Sequence, residues 1–280
     1  MTCLAPITPT NQEFQYPFNK IMHRCAGNDA PENTLAAIKF GLEIHNNRAI
    51  EFDVQLSRDG VPILMHDETL SRTTSFGGSD LVKNISHNTL SGLDAGSWFD
   101  EIKYRNERIP LFTEVVDYCK TNAVWMNIEL KGSDADVRSD DRRMDLIGRT
   151  VASHTSSLFR EELDKDVLDY TVIPLFSSFS VAALVAAKEV APTIPRALLV
   201  KFKEDVPNLI EVLQTLEANA VHLCDDDILE YDLVSLKSAG FKIMCYTVNT
   251  PERVDLLRSL GIDAVCTDNF AVTGDRIKSI

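Results

Sequence analysis

A chain of 280 residues, 44% of them hydrophobic, can bury a large core, which suits one α/β barrel or two smaller domains. A net charge of −14 with a pI near 4.8 excludes a general nucleic-acid or membrane-surface binder, which would carry a basic face. The six cysteines are scattered without zinc spacing, no run approaches the roughly 20 apolar residues of a membrane span, and the first 19 residues lack the basic start of a signal peptide, so a cytoplasmic protein is expected.

Residues 1–19 read as a polar surface arm, and Lys20 to Arg24 as a short strand ending in His23 and Arg24. A helix is expected from about Asn33, its candidate N-cap, to His45, with Leu35, Ile38 and Leu42 on its buried stripe. Ala49 to Leu56 and Val61 to His66 are apolar, β-rich runs around Asp59-Gly60, a strong hairpin signal. With Asp59 and Gly60 as the two turn residues, Arg58 pairs with Val61 and Asp53 faces His66; Glu51 shares the face of Asp53. From about 67 to 110 the periodicity breaks, which predicts an insertion over one end of the fold, anchored by Trp98 and Phe99.

Beyond the insertion, helices near 112–122, 140–157, 180–190, 207–217, 228–239 and from Pro251 alternate with strands at 124–131, 171–177, 196–200, 220–223, 242–248 and 264–267, and a last helix is expected at about 270–279. With the arm 61–66 taken as a hairpin extension of the second strand, eight strands each precede a helix, the signature of a (β/α)8 TIM barrel. One domain over 1–280 is expected; a doubly wound sheet is the alternative, but no Gly-x-Gly-x-x-Gly follows any strand.

In such barrels chemistry sits at the C-terminal ends of the strands. Those ends carry His23 and Arg24, Glu51 and Asp53 with His66, Glu129 and Lys131, Ser177, Tyr246 and Asp268. Glu51, Asp53 and Glu129 form an all-oxygen set that suits one divalent cation, Mg²⁺ or Ca²⁺; the plainer reading is a salt-bridge network with Arg24 and Lys131. His23 and His66 are the acid–base candidates, and Arg24 and Lys131 suit an oxyanion such as phosphate. His45, His87 and His154 read as solvated, His222 as a weak candidate for the mouth, and Asp225 to Asp227 as a loop with Asp227 as a helix N-cap.

Together His23-Arg24, Glu51-Phe52-Asp53 and His66-Asp67, with Pro31 to Leu35, Leu70 to Thr74, Leu93 to Trp98, Ile128 to Lys131, Tyr246 to Asn249 and Thr267-Asp268, resemble the glycerophosphodiester phosphodiesterase family over about Lys20 to the C-terminus. The resemblance implies a barrel with an insertion after its second strand and metal-dependent hydrolysis of small-molecule glycerophosphodiesters to glycerol 3-phosphate and an alcohol. It implies Glu51, Asp53 and Glu129 as metal ligands, His23 and His66 as the acid–base pair, and Arg24 and Lys131 as phosphate contacts. Two positions depart from the family pattern: Cys25 stands where glycine is usual, and Tyr246 where tryptophan is common, which marks Tyr246 as a candidate glycerol or alcohol wall.

Three rival readings follow from the same residues. A phospholipase-type diesterase would need an apolar rim or docking segment, and the sequence shows neither. A barrel aldolase would use Lys131 as its Schiff-base amine. A scaffold that only binds glycerophosphates would not turn them over.

Overall fold

The computed structural model describes residues 13–271. Its strands are β1 (Lys20–Met22), β2 (Ala49–Leu56), β3 (Pro62–Leu64), β4 (Trp125–Leu130), β5 (Leu175–Ser178), β6 (Arg196–Val200), β7 (Ala220–Cys224), β8 (Lys242–Tyr246) and β9 (Ala264–Thr267). Its α-helices are α1 (Leu35–His45), α2 (His87–Leu90), α3 (Phe112–Thr121), α4 (Asp134–Ser139), α5 (Asp141–Leu158), α6 (Arg160–Leu163), α7 (Val181–Val190), α8 (Leu209–Thr215), α9 (Leu233–Ser238) and α10 (Pro251–Ser259). β1 pairs in parallel with both β2 and β9, so eight parallel strands close into a TIM barrel, and β3 adds antiparallel to the far end of β2. Strand ends and helix starts follow local chemistry. Ser180 caps α7, Thr250 caps α10 ahead of its first-turn proline, and Gly261 follows α10 at φ +79°. A Cβ at Gly148 would lie 2.3 Å from the Ala183 carbonyl oxygen, so glycine there lets α5 cross close to α7. No helix among the described residues is long and apolar enough to cross a membrane.

The barrel floor is closed by the chain's own early residues. Ala49, Trp125, Leu175, Ala220 and Ala264 begin their strands and pack in one buried cluster with Phe14, while Tyr16 and Phe18 lean on it. Small alanines leave room for the rings; Phe14 meets Tyr16 and Tyr170 edge-on at 5.1 and 5.4 Å. The expected surface character of the arm holds for the exposed Glu13 and Gln15 but fails at Phe14, Tyr16 and Phe18, which alternate along an extended segment and turn into the floor. Residues 1–12 and the expected helix at 270–279, from residue 272 on, lie outside the described residues.

Several local expectations are corrected. The hairpin closes with a three-residue loop, Arg58-Asp59-Gly60: the Ser57 N–H donates to the Val61 carbonyl at 3.0 Å, with Gly60 at φ +80°. The register moves by one, Val54 pairs with Leu64, and the Met65 N–H meets the Asp53 carbonyl, so Asp53 does not face His66 across the ladder. The N-cap of α1 is Thr34, whose Oγ1 accepts from the Ala37 N–H at 3.1 Å; Asn33 is used elsewhere. The expected helix at 228–239 splits into a 3-10 stretch, Asp225–Glu230, and α9, which is capped by Asp232, whereas Asp227 accepts from the Lys203 N–H. His45, His87 and His154 are each partly exposed, as solvated side chains are, and His45 bonds Asp29 at 2.8 Å.

Residues 67–110 carry α2, a 3-10 turn (Val82–Asn84) and isolated bridges rather than layers of their own. Their anchor is a small core of Leu70, Val82, Leu90 and Ile109 against Ile63 and Met65. Trp98 and Phe99 do not supply it: they stack on each other edge-on at 5.6 Å, 40% and 37% exposed, near the exposed Ile102.

His222 lies on the floor, not at the mouth. It is fully buried, Tyr16 Oη is 2.8 Å from its Nε2, and Nδ1 has no partner among the described residues. Burial holds its imidazole down at about 3, against an unfolded value near 6.5. Between these values the unfolded chain binds a proton that the folded chain refuses, so stability falls as pH falls below about 6.5, by up to about 1.4 kcal/mol per pH unit. Urea unfolding of the native protein and His222→Gln at pH 7.5 and 5.0 should show about 2 kcal/mol more acid loss in the native protein; parallel curves would contradict a neutral buried imidazole.

Candidate active site

Strand register builds the centre. Asp53 on β2 pairs with Glu129 on β4, and Glu51 lies two residues before Asp53 on the same face. One carboxylate oxygen from each lies within 4.8 Å of the other two, and the three residues are 5%, 1% and 8% exposed. Three buried like charges repel, and the environment splits them. Burial, with Asp53 and Glu129 beside it, pushes the Glu51 carboxyl well above the usual range. Burial acts the same way on Asp53, but Lys131, His66 and Arg24 outweigh it and hold Asp53 far below that range.

Lys131 follows β4 and reaches both Asp53 and Glu129, at 3.2 and 3.0 Å. Burial opposes its charge, yet the two carboxylates raise it above the ordinary lysine value. A Schiff-base lysine needs the opposite shift, so the aldolase reading has no support. The Arg24 N–H donates to Glu51 Oε2 at 2.9 Å, while its guanidinium bonds Glu32 at 3.1 Å. This loop is tight: Arg24, Cys25 and Gly27 have φ of +48°, +78° and +55°. The position where the family usually has glycine thus does adopt the left-handed conformation, and Cys25 holds it fully buried, at a backbone cost of about 1–2 kcal/mol. A Cβ at Gly27 would fall 2.2 Å from the Asp268 carbonyl oxygen, so glycine lets the loop close against the chain after β9.

That closure gives His23 a partner. His23 Nδ1 lies 2.7 Å from Asp268 Oδ1, and His66 Nδ1 lies 2.7 Å from Asp67 Oδ1. An ionised carboxylate only accepts, so each Nδ1 carries the proton and each Nε2 is left for a reacting group. His23 Nε2 stands 4.0 Å from Glu51 Oε2. His23, Arg24, Glu51, His66, Glu129 and Lys131 line one cavity that opens to solvent, about 540 Å³ with the open space at its mouth included. Its opposite wall is largely apolar: Phe179, Leu199, Met244 and the ring of Tyr246, whose hydroxyl is engaged by the Val200 carbonyl at 3.0 Å.

The structure thus gathers the sequence candidates from β1, β2, β4 and β8 at one mouth. It also brings in residues that sequence reasoning did not assign. Asn33 sits at φ +56° and grips Asp53 twice, donating Nδ2 to Oδ2 at 2.8 Å and accepting the Asp53 N–H at 3.1 Å. Its neighbour Thr34 is as good a cap by type, so the sequence offered no choice between them. Asp268 and Asp67 orient the histidines; the motifs Thr267-Asp268 and His66-Asp67 contained them without giving them a role.

The glycerophosphoryl diester phosphodiesterase family model matches residues 23–272. The chain belongs to that family. A glycerophosphodiester phosphodiesterase of Caldanaerobacter subterraneus is 30% identical over 89% of this chain and 93% of its own length, and one of Bacillus subtilis is 28% identical over 89% and 82%. An Oleispira antarctica phosphodiesterase, solved with the product sn-glycerol-3-phosphate, superposes with a TM-score of 0.75 at 28% identity, covering 91% of this chain and 95% of that one. The Thermotoga maritima enzyme shares the fold at a TM-score of 0.64 and 22% identity. The chain carries a buried acidic triad, and the triad fits a divalent cation: all donors are oxygen, and Glu51 Oε1 is buried without a hydrogen-bond partner among the described residues.

Asn33 fixes the carboxylate it holds, and such outer partners are worth about 10–100-fold in metal affinity. If Asp53 helps to hold a divalent cation, titration calorimetry of Asn33→Ala with Mg²⁺ or Ca²⁺ should show a loss in that range; unchanged affinity would remove Asn33 from the site.

Proposed function

We propose that the protein hydrolyses glycerophosphodiesters to glycerol 3-phosphate and an alcohol, with Glu51, Asp53 and Glu129 holding one divalent cation, Mg²⁺ or Ca²⁺. The observation that carries this reading is the arrangement of two His–Asp pairs on either side of a buried three-carboxylate cluster, beside Lys131 and Arg24, in one cavity. The glycerol 3-phosphate bound by the Oleispira antarctica neighbour supports the substrate class. Three carboxylates against Lys131 and Arg24 leave the site short of positive charge for an anionic diester. A bound divalent cation supplies that charge and Lewis acidity toward the phosphoryl oxygens.

The chain's own residues do the rest. Arg24 and Lys131 offset the charge that shifts onto the phosphoryl oxygens in the transition state. His23 Nε2, beside Glu51, takes the proton of the attacking hydroxyl, which comes from water, or from the substrate's own glycerol to give a cyclic phosphate that water then opens to glycerol 3-phosphate. His66, as imidazolium, gives a proton to the leaving alkoxide as its P–O bond breaks, and Asp67 and Asp268 steady the charged forms. Tyr246 and Phe179 form a wall, edge to face at 6.2 Å, for the glycerol or the alcohol. The five described cysteines are all free thiols, which is in keeping with a reducing, cytoplasmic setting.

The whole-lipid reading gains one observation, the exposed Trp98, Phe99 and Ile102 on the insertion, where the sequence showed no docking segment. Release of glycerol 3-phosphate from glycerophosphocholine, with neither choline nor phosphocholine released from phosphatidylcholine vesicles, would exclude it.

His66→Ala should slow an alkyl diester by about 100- to 10,000-fold and a nitrophenyl diester far less, because only the alkoxide needs a proton donor. Equal slowing would contradict the acid role. Thorough chelation should abolish turnover, and Mg²⁺ or Ca²⁺ should restore it; full activity in chelator would remove the cation from the scheme.

A further inference from the structure

The proposed acid, His66, sits just past the end of the sheet. β3 ends at Leu64 and the Met65 N–H still meets the Asp53 carbonyl of β2, but no ladder fixes residues 66 and 67. Gln55 on β2 takes over for the backbone: its Nε2 lies 2.9, 3.1 and 2.8 Å from the carbonyl oxygens of Met65, His66 and Asp67. That leaves the Asp67 side chain, which must hold still if it is to orient the imidazole.

Arg72, from the insertion, is the group in contact with it. Arg72 Nε and Nη2 donate to the two Asp67 oxygens at 2.6 and 2.8 Å. Its Nη1 and Nη2 donate to the two Glu32 oxygens at 2.7 and 2.8 Å. Glu32 in turn bonds Arg24 at 3.1 Å. One planar fork thus locks both edges onto two carboxylates, a geometry only arginine offers. The guanidinium is 44% exposed, so as a stability element it contributes little. Its geometry serves direction: it stops rotation of Asp67, and Asp67 sets the ring plane and proton position of His66.

We propose that Arg72 is a positioning residue that orients His66 through Asp67, braced against Glu32, so that the insertion completes the acid side of the site. The proposal rests on the reading of His66 as the proton donor. Misplacing a reacting group by about 1 Å costs on the order of 100-fold, and loss of an orienting partner about 10–100-fold.

The test is Arg72→Ala, compared with Arg72→Lys. With glycerophosphocholine, kcat should fall about 10–100-fold while KM stays within about threefold. With bis(4-nitrophenyl) phosphate, whose leaving group needs no donor, kcat should fall less than about threefold. Millimolar methylguanidinium should restore part of the lost rate in Arg72→Ala, and Arg72→Lys should keep most of the loss, since an ammonium cannot bridge two carboxylates in a plane. A second readout needs no turnover. Imidazole nitrogen signals, assigned by their absence in His66→Ala and read at a pH where the ring is neutral, should show His66 protonated at Nδ1 in the native protein and mixed between its nitrogens in Arg72→Ala. Equal loss on both diesters, a wild-type rate in Arg72→Lys, or unchanged His66 signals would overturn the proposal. If Arg72→Ala does not fold, Arg72→Lys carries the same comparison of diesters and signals. A native protein that turns over no glycerophosphodiester would defeat the functional reading alone, and the nitrogen signals would still decide the part played by Arg72.

Discussion

Pairing between β2 and β4 sets Asp53 beside Glu129, with Glu51 one pleat below, and most of the mouth answers to that crowding. Carboxylates do not stay ionised in a barrel interior unless something compensates them. Lys131 arrives from the same strand as Glu129, two residues on, so its place comes with the register. Asn33 and the Arg24 N–H arrive from the first loop and fix individual oxygens of Asp53 and Glu51. The strained left-handed turn through Arg24 and Cys25 is what aims that N–H at the triad.

Around this rigid centre, orientation is delegated to segments distant in sequence. His23 opens the barrel and Asp268 stands just beyond its last strand, 245 residues later, yet they share a hydrogen bond because β1 pairs with β9. His66 has its carboxylate next door in sequence, and there the steadying comes from Gln55 and Arg72 instead. Closure of the barrel therefore aligns one histidine, and docking of the insertion aligns the other.

Much of this was legible from period and spacing. Alternation of apolar runs with amphipathic stretches fixes eight strands, and Glu-x-Asp on one strand with Glu-x-Lys on the next can only put those side chains on one face. What stayed hidden depended on backbone signs and on long-range partners. Asp-Gly suits a two- or a three-residue loop, and Ser57, whose Oγ accepts the Val61 N–H at 3.0 Å, tips the balance to the longer one. Asn33 looked like a cap because Asn is a good one; its αL backbone, which turns the side chain to Asp53, leaves no trace in periodicity. His222 and the aromatic arm were misplaced for one shared reason. An alternation of rings over five residues reads as a loop unless the cavity that it fills is known.

That floor has a consequence for how the molecule comes into being. Tyr16 meets His222, 206 positions downstream, and Phe14 packs in a cluster that includes Ala264 and Cys266. During synthesis these early aromatics emerge long before any of the surfaces that receive them exist. They must wait, solvated, until nearly every strand has been made, and closing so long a loop carries a large entropic toll. The first described stretch of the chain is thus among the last to find its seat.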